Sequence, residues 1–332
     1  MRRQKLFIVL LAAFSILFIS GCKQNVGTPE DNAVVEEPDE EDTEDEEQNR
    51  LFGFSCPDLE DPFYTVLKDS VSTALQEQGD RILVRDAQED TAAQISHIQE
   101  MIDSGVSCVF LCPCDPEGIT PALEALHDAG IPVINLDVRV EKSELTAAFI
   151  GADDYNAGKV CAEDLMARFP DGGSLAIVEC PEVSSVSERI NGFEETISSA
   201  GFEVVKRIDV QKDSSVIRGQ MADLISSGNS LNAVMCGDDE MALEVLASLE
   251  TAGRTDAFVY SVGGSPAVKS ALVSSESPMT GIGALSPINM GKTAVKTASA
   301  VLENGVYEPE TYVETFFINR DNVDMYGTDG WQ

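Results

Sequence analysis

Two closely spaced cysteines raise the first chemical question. The stretch "VFLCPCDPEGI" (109–119) runs from an apolar segment into Cys112-Pro113-Cys114 and then an acidic turn. The pair has three readings: soft-metal ligands, a redox couple, or small residues on a cleft wall. Structural zinc knuckles use C-x(2–4)-C with a second such pair, so the C-x-C spacing is wrong for them. Cys56, Cys112, Cys114, Cys180 and Cys236 all follow or close apolar runs, yet the chain has only 2 His, at 97 and 127. Neither a metal nor a cofactor is expected, and the cysteines read best as small polarisable wall residues. The chain carries no G-x-S-x-G elbow, P-loop, Gly-rich dinucleotide fingerprint or His-paired nucleophile, so an enzyme is not expected either.

The elements around these residues alternate. Short apolar runs stand at 51–55, 81–87, 106–112, 131–137 and 146–152, and again at 174–180, 202–210, 231–236 and 257–263. Between them apolar residues repeat at three and four, as in Phe63, Val66, Leu67, Val71, Ala74 and Leu75, which is helical spacing. Gly105, Gly130, Gly201, Gly228 and Gly253 close the helices. Near-continuous apolar strands alternating with helices predict parallel sheets covered on both faces. Two such series in tandem predict an α/β chain of two doubly wound lobes. Ligands of open parallel sheets sit beyond the carboxyl ends of the strands. That rule selects 55–64, 112–115, 137–139, 180–189, 237–239, 263–265 and 283–285.

The ends and the charge narrow the class. Arg2, Arg3 and Lys5 precede an apolar Leu6–Ile19 and then Ser20-Gly21-Cys22. That core is too short to span a membrane, which takes ~20 residues, and reads as an export signal over 1–21. Its Ile-Ser-Gly-Cys end resembles the bacterial lipobox, which implies cleavage and acylation at Cys22 and attachment to the membrane. Residues 22–50 read as an acidic disordered tether, with 12 Asp or Glu among the 18 residues of 30–47. From Arg50 onward 46 Asp and Glu still face 18 Lys and Arg, which excludes nucleic acid as a partner.

A resemblance then joins these segments. "DPFY", "AGIPVINLD", "AAFIGADDYNAG", "SERINGFEETI", "VMCGDDEMALEVL" and "SVGGSP" together resemble the sugar-type substrate-binding proteins of ABC transporters, the ribose and galactose binders above all. The resemblance covers about 51–318. It implies two lobes joined by three crossing strands: 51–150 plus 285–311, and 151–284 plus 312–332. It implies hinge closure on a small sugar or sugar-like molecule for delivery to a membrane permease. A monomer is expected. A sensory receptor feeding a membrane kinase or chemoreceptor is the alternative, and a thiol- or metal-handling lipoprotein the third reading.

Residue by residue, the resemblance places Phe63 and Tyr64 as rings against the ligand and Asp137 as acceptor for ligand hydroxyls or an amine. Asp61 and Asp238 are candidate contacts, and each would equally cap the helix that follows it. Arg139 stands one place after the family's Arg position, which holds Val138. The Arg position of the second lobe's first helix is Ser187, with Arg189 two places on. The family's Asn after strand three is Cys112, its Asp after strand nine is Gly263, and its crossing-strand Gln is Ala284. The site is therefore expected to be less basic, and to suit a cationic, partly apolar, modified or larger ligand better than a simple pentose.

Overall fold

The computed structural model describes residues 49–332 apart from Lys212. The expected export signal, Cys22 and nearly all of the acidic segment lie outside the described residues. Arg50, counted with the tether, is already part of the fold. Its amide and its guanidinium both donate to the buried carboxylate of Asp80, each at 2.8 Å.

Two six-stranded sheets carry the architecture. The first runs β2 (Arg81–Asp86), β1 (Leu51–Cys56), β3 (Cys108–Leu111), β4 (Val133–Leu136), β5 (Ala148–Ala152) and β11 (Glu310–Val313), all parallel. The second runs β7 (Phe202–Asp209), β6 (Gly173–Glu179), β8 (Ala233–Cys236), β9 (Phe258–Gly263), β10 (Met279–Ala284) and β12 (Phe316–Asn319), with only β12 antiparallel. Both halves thus repeat one strand order with the switch point beside the first strand. This is the α/β, doubly wound, two-lobe fold that the alternating pattern predicted.

Burial explains the strand sequences. β3, β4, β5, β8 and β10 are buried along their whole length, because helices cover both sheet faces. The outer strands β2 and β7 are only partly buried, and there Arg81, Arg85, Lys206 and Arg207 blunt the edge.

The chain passes between the sheets three times. It leaves the first after β5, entering α4 (Asp154–Arg168). It returns after β10 into α9 (Pro287–Leu302), which packs on β3, β4, β5 and α1 (Pro62–Gln76). It then runs from β11 directly to β12.

One helix pair sets up the site. α4 and α5 (Ser184–Ile197) approach backbone to backbone through Gly158 and Gly192. A Cβ on Gly158 would lie 1.7 Å from the Arg189 carbonyl oxygen, and one on Gly192 would lie 2.0 Å from the Tyr155 carbonyl oxygen. Only bare backbone lets the helices close to this separation. Gly158→Ala is expected to force them apart and lower stability by ~2–3 kcal/mol, the range of an overpacked core. Thermal unfolding checks it: a midpoint within one degree of the parent would show that the two helices can separate freely.

Candidate ligand-binding site

The carboxyl ends of both sheets bring several of the predicted positions together. In the first sheet the chain leaves β1 at Cys56 and starts α1 at Pro62. Asp61 is the cap, accepting the Phe63 N–H at 2.7 Å, and Pro62 adds a φ suited to the first turn. This fixes the start of the helix and the adjacent rings. Phe63 is buried, with its ring edge-to-face on Tyr64 at 5.4 Å between centroids. The Tyr64 hydroxyl donates to Asp137 Oδ2 at 2.9 Å.

Asp137 ends β4 with φ +63°, in the left-handed region that few residues other than Gly, Asn and Asp accept. Burial first, then the field of Asp154, pushes its carboxyl up to about 6, against the opposing pull of Arg189 and the Tyr64 hydroxyl. Burial and then Asp137 raise the Tyr64 phenol well above its usual range, so it acts as a neutral donor.

Cys112 closes this wall. Its amide donates to the Ser55 carbonyl at 2.9 Å, and its carbonyl accepts from buried Gln94 at 2.8 Å. Its thiol is buried, and burial drives its pKa well above that of an ordinary cysteine. Cys56, packed nearby, is pushed up to about 12, again first by burial. These thiols are held as neutral, small side chains. No group of three or more His, Cys, Asp or Glu among the described residues is arranged to hold a metal ion.

The second sheet supplies the facing charge. Arg189 on α5 donates to Asp154 Oδ1 at 2.7 Å and to the Gly237 carbonyl at 3.0 Å, and is only 7% exposed. Burial pulls the guanidinium down, but Asp154, then Asp137 and Asp238, outweigh this and keep it charged. Asp238 caps α7 (Asp239–Thr251) through the Met241 N–H at 2.8 Å, and burial first pushes its carboxyl up to about 6. A single buried cation therefore answers three carboxylates, Asp154, Asp137 and Asp238.

Asp239 is a structural anchor. It accepts from the Ser261 hydroxyl and from the Gly264 and Ser265 N–H groups at 2.9 and 2.7 Å. Gly263 is required beneath it, because a Cβ there would come 2.5 Å from the Asp239 carboxyl carbon. The loss of the family's Asp at this position is thus coupled to Asp239.

Two predicted residues are not gathered with the rest. Arg139 turns to the sheet edge instead. It donates to Glu310 at 2.9 Å and to the Tyr312 hydroxyl at 3.0 Å, and lies 4.0 Å from the Phe149 ring centroid. An ion pair and a flat ring together outcompete the cleft for its guanidinium. Ser187 spends its hydroxyl on the Pro181 carbonyl at 3.1 Å. Two further residues join the site without having been singled out. Asp154 pairs with Arg189, and Trp331 stands edge-to-face on Phe63 at 5.8 Å. "GADDYNAG" held the signal for Asp154 in its second carboxylate. Trp331 lies outside any periodic segment and gives none, beyond being the chain's 1 Trp.

The arrangement offers two acceptor carboxylates, one arginine anchored by Asp154 and the Gly237 carbonyl, and a run of rings. It suits recognition of hydroxyl groups and C–H faces, and it holds no activated nucleophile. A wider surface depression of about 750 Å³, lined by Arg168, Phe258, Met279 and Arg320, sits at the opposite, amino ends of β9 and β10.

Known proteins share this organisation. The family model of the periplasmic binding protein domain matches residues 52–305. The ribose import binding protein of Escherichia coli is 27% identical over 246 residues, spanning 74% of this chain and 82% of its own. A putative rhizopine-binding protein of Rhizobium meliloti is 26% identical over 289 residues, spanning 82% and 90%. A solved ABC transporter solute-binding protein from Mycobacterium smegmatis, with bound glycerol, matches with TM-score 0.77 and 26% identity over 85% of this chain and 99% of its own. One from Bacillus halodurans with bound myo-inositol shares the fold, with TM-score 0.75 at 23% identity over 84% and 97%.

Proposed function

Because the chain belongs to the periplasmic binding protein domain family, we propose that it captures a sugar or related polyol between two lobes and presents it to an ABC permease. The observation that carries this reading is the opposition of two acid clusters. Asp137 with Tyr64, from the first sheet, faces Arg189 and Asp238 from the second. A polyol bonded to both sides would hold the lobes closed, and the closed form is what a permease recognises. The relatives named for ribose import and rhizopine binding support the ligand class.

Finer parts of the proposal rest on sequence. The lobes divide as 51–150 plus 285–311 and 151–284 plus 312–332. The mature chain is exported and lipid-anchored through Cys22, and acts as a monomer at the membrane. Phe63, Tyr64, Cys112, Asp137, Arg189 and Asp238 form the binding set. With Asp137, Asp238 and Asp154 sharing one cation, Arg189, this set favours hydroxyl-rich ligands carrying an amine or an apolar face, and disfavours sugar phosphates and sugar acids.

Thermal unfolding against pentoses, hexoses, inositols, amino sugars, sugar phosphates and nucleosides tests the reading. A compound at a hundred times its dissociation constant adds ~2.7 kcal/mol, a rise of ~5 °C for a chain of this size. A neutral or amino polyol is expected to give that shift. A panel in which only anionic compounds shift the midpoint would overturn the ligand class.

A further inference from the structure

Residues after the last strand return to the place where the lobes meet. The Gln332 side-chain amide donates to the Leu285 carbonyl at 2.6 Å, and the Ser286 hydroxyl donates to the Gln332 carbonyl at 2.6 Å. Lys269, with no exposed surface, donates to the Gly330 carbonyl and to Gln332 Oε1, the latter at 3.1 Å. A buried ammonium needs such partners, so the segment 330–332 completes the structure there. It also holds Trp331 in place from both sides along the chain, through Gly330 and Gln332. The Trp331 ring itself meets Phe63, with the rings at 5.8 Å and 72°. Phe63 in turn meets Tyr64, whose hydroxyl reaches Asp137. The indole N–H of Trp331 is buried and has no acceptor among the described residues, which is uncommon for a tryptophan in this setting.

We propose that Trp331 is a specificity-determining ligand contact: its ring extends the Phe63–Tyr64 wall, and its indole N–H donates to an oxygen of the bound polyol. This rests on the sugar-binding reading above and adds a residue to it. Aromatic faces pack on sugar C–H groups, and an unused donor gains most when a ligand supplies its acceptor. Anchored through Lys269 of the second lobe but touching a first-lobe ring, Trp331 also couples ligand contact to closure.

The chain's 1 Trp makes the test direct. D-ribose, myo-inositol and D-glucosamine are titrated into the full protein while its tryptophan emission and its thermal midpoint are followed, in the parent and in Trp331→Phe and Trp331→Ala. The expected result is a saturable emission change with the compound that raises the midpoint. Affinity for it falls ~10-fold in Trp331→Phe, which keeps the ring and loses the donor, and ~100-fold in Trp331→Ala. A compound that raises the midpoint without altering emission, and binds Trp331→Phe as tightly as the parent, overturns the assignment and leaves sugar binding standing. Variants that lose stability but bind unchanged overturn it too, by showing a packing role. No midpoint shift with any of the three overturns the polyol reading and this assignment together.

Discussion

Asp137→Asn is expected to lose ~100-fold in affinity for the bound polyol while melting higher than the parent at neutral pH. The two effects have one cause. The carboxylate is kept ionised in a place that disfavours charge, because a charged acceptor bonds ligand hydroxyls more strongly than a neutral one. Each such bond is worth ~1.5–3 kcal/mol, so weakening two of them gives the stated loss. The stability sign follows from the raised pKa. A folded value of about 6 against an ordinary 3.8 means that ionisation opposes folding. That penalty is fully present above pH 6 and is relieved as pH falls from about 6 toward 4. Two units correspond to at most ~3 kcal/mol at pH 7. Asparagine removes it, still accepts from Tyr64, and tolerates the φ of +63°. A gain of ~1–2 kcal/mol, or ~2–4 °C, is expected.

The same sign predicts opposite pH trends in the parent protein. Asp238 shares the raised value of about 6, so acidification from pH 7 to 5 protonates both carboxyls. Polyol affinity should fall over that range while the acid penalty on the unliganded fold eases. In Asp137→Asn only the Asp238 part of either trend should remain. Calorimetric titration and thermal unfolding at pH 5, 6 and 7 separate these terms. Affinity that stays unchanged in Asp137→Asn would remove Asp137 from the site.

The strands were legible because burial on both faces leaves an unmistakable pattern. "IPVINLD" can only be a covered parallel strand, and Asp137 at its end is the first residue the core cannot absorb. Asp61 and Asp238 were legible as caps for the same local reason: each precedes the helix whose N–H it accepts. The bonds of Arg139 were not legible, because position along a strand end does not say which neighbour takes a long side chain. Its partner Glu310 is 171 residues away, on a strand added at the sheet edge. Asp154 was not legible as the partner of Arg189, since their meeting depends on two glycines drawing α4 against α5. Trp331 depends on the buried Lys269 for its position, and no spacing rule connects those two. The cysteines of "VFLCPCDP" show the converse case. Their spacing and the scarcity of His pointed to small wall residues, and burial of Cys112, with Cys56 and Asp137 beside it, raises its thiol well above the ordinary range.

Arg189→Met is expected to be the most destabilising single change at the site, by ~3–5 kcal/mol or ~6–10 °C, because it strands half-buried carboxylates without their cation. Methionine fills much of the volume, so the loss is electrostatic and not a cavity. Asp154 loses its ion pair at 2.7 Å, and Asp137 and Asp238 lose the charge that holds their pKa values down. All three carboxyls should then titrate higher, so the sign is again fixed. The deficit is largest at pH 7 and shrinks as the pH is lowered, since protonation removes the unpaired charge. Adding Asp154→Asn should recover a large part of the loss, giving a coupling energy well outside the ~0.5 kcal/mol scatter of independent sites. Thermal unfolding of the four proteins of that cycle decides the matter. Additive effects would show that Arg189 and Asp154 act separately. Full recovery of stability without recovery of binding would show that Arg189, kept charged by its carboxylate neighbours, serves the ligand and not the fold.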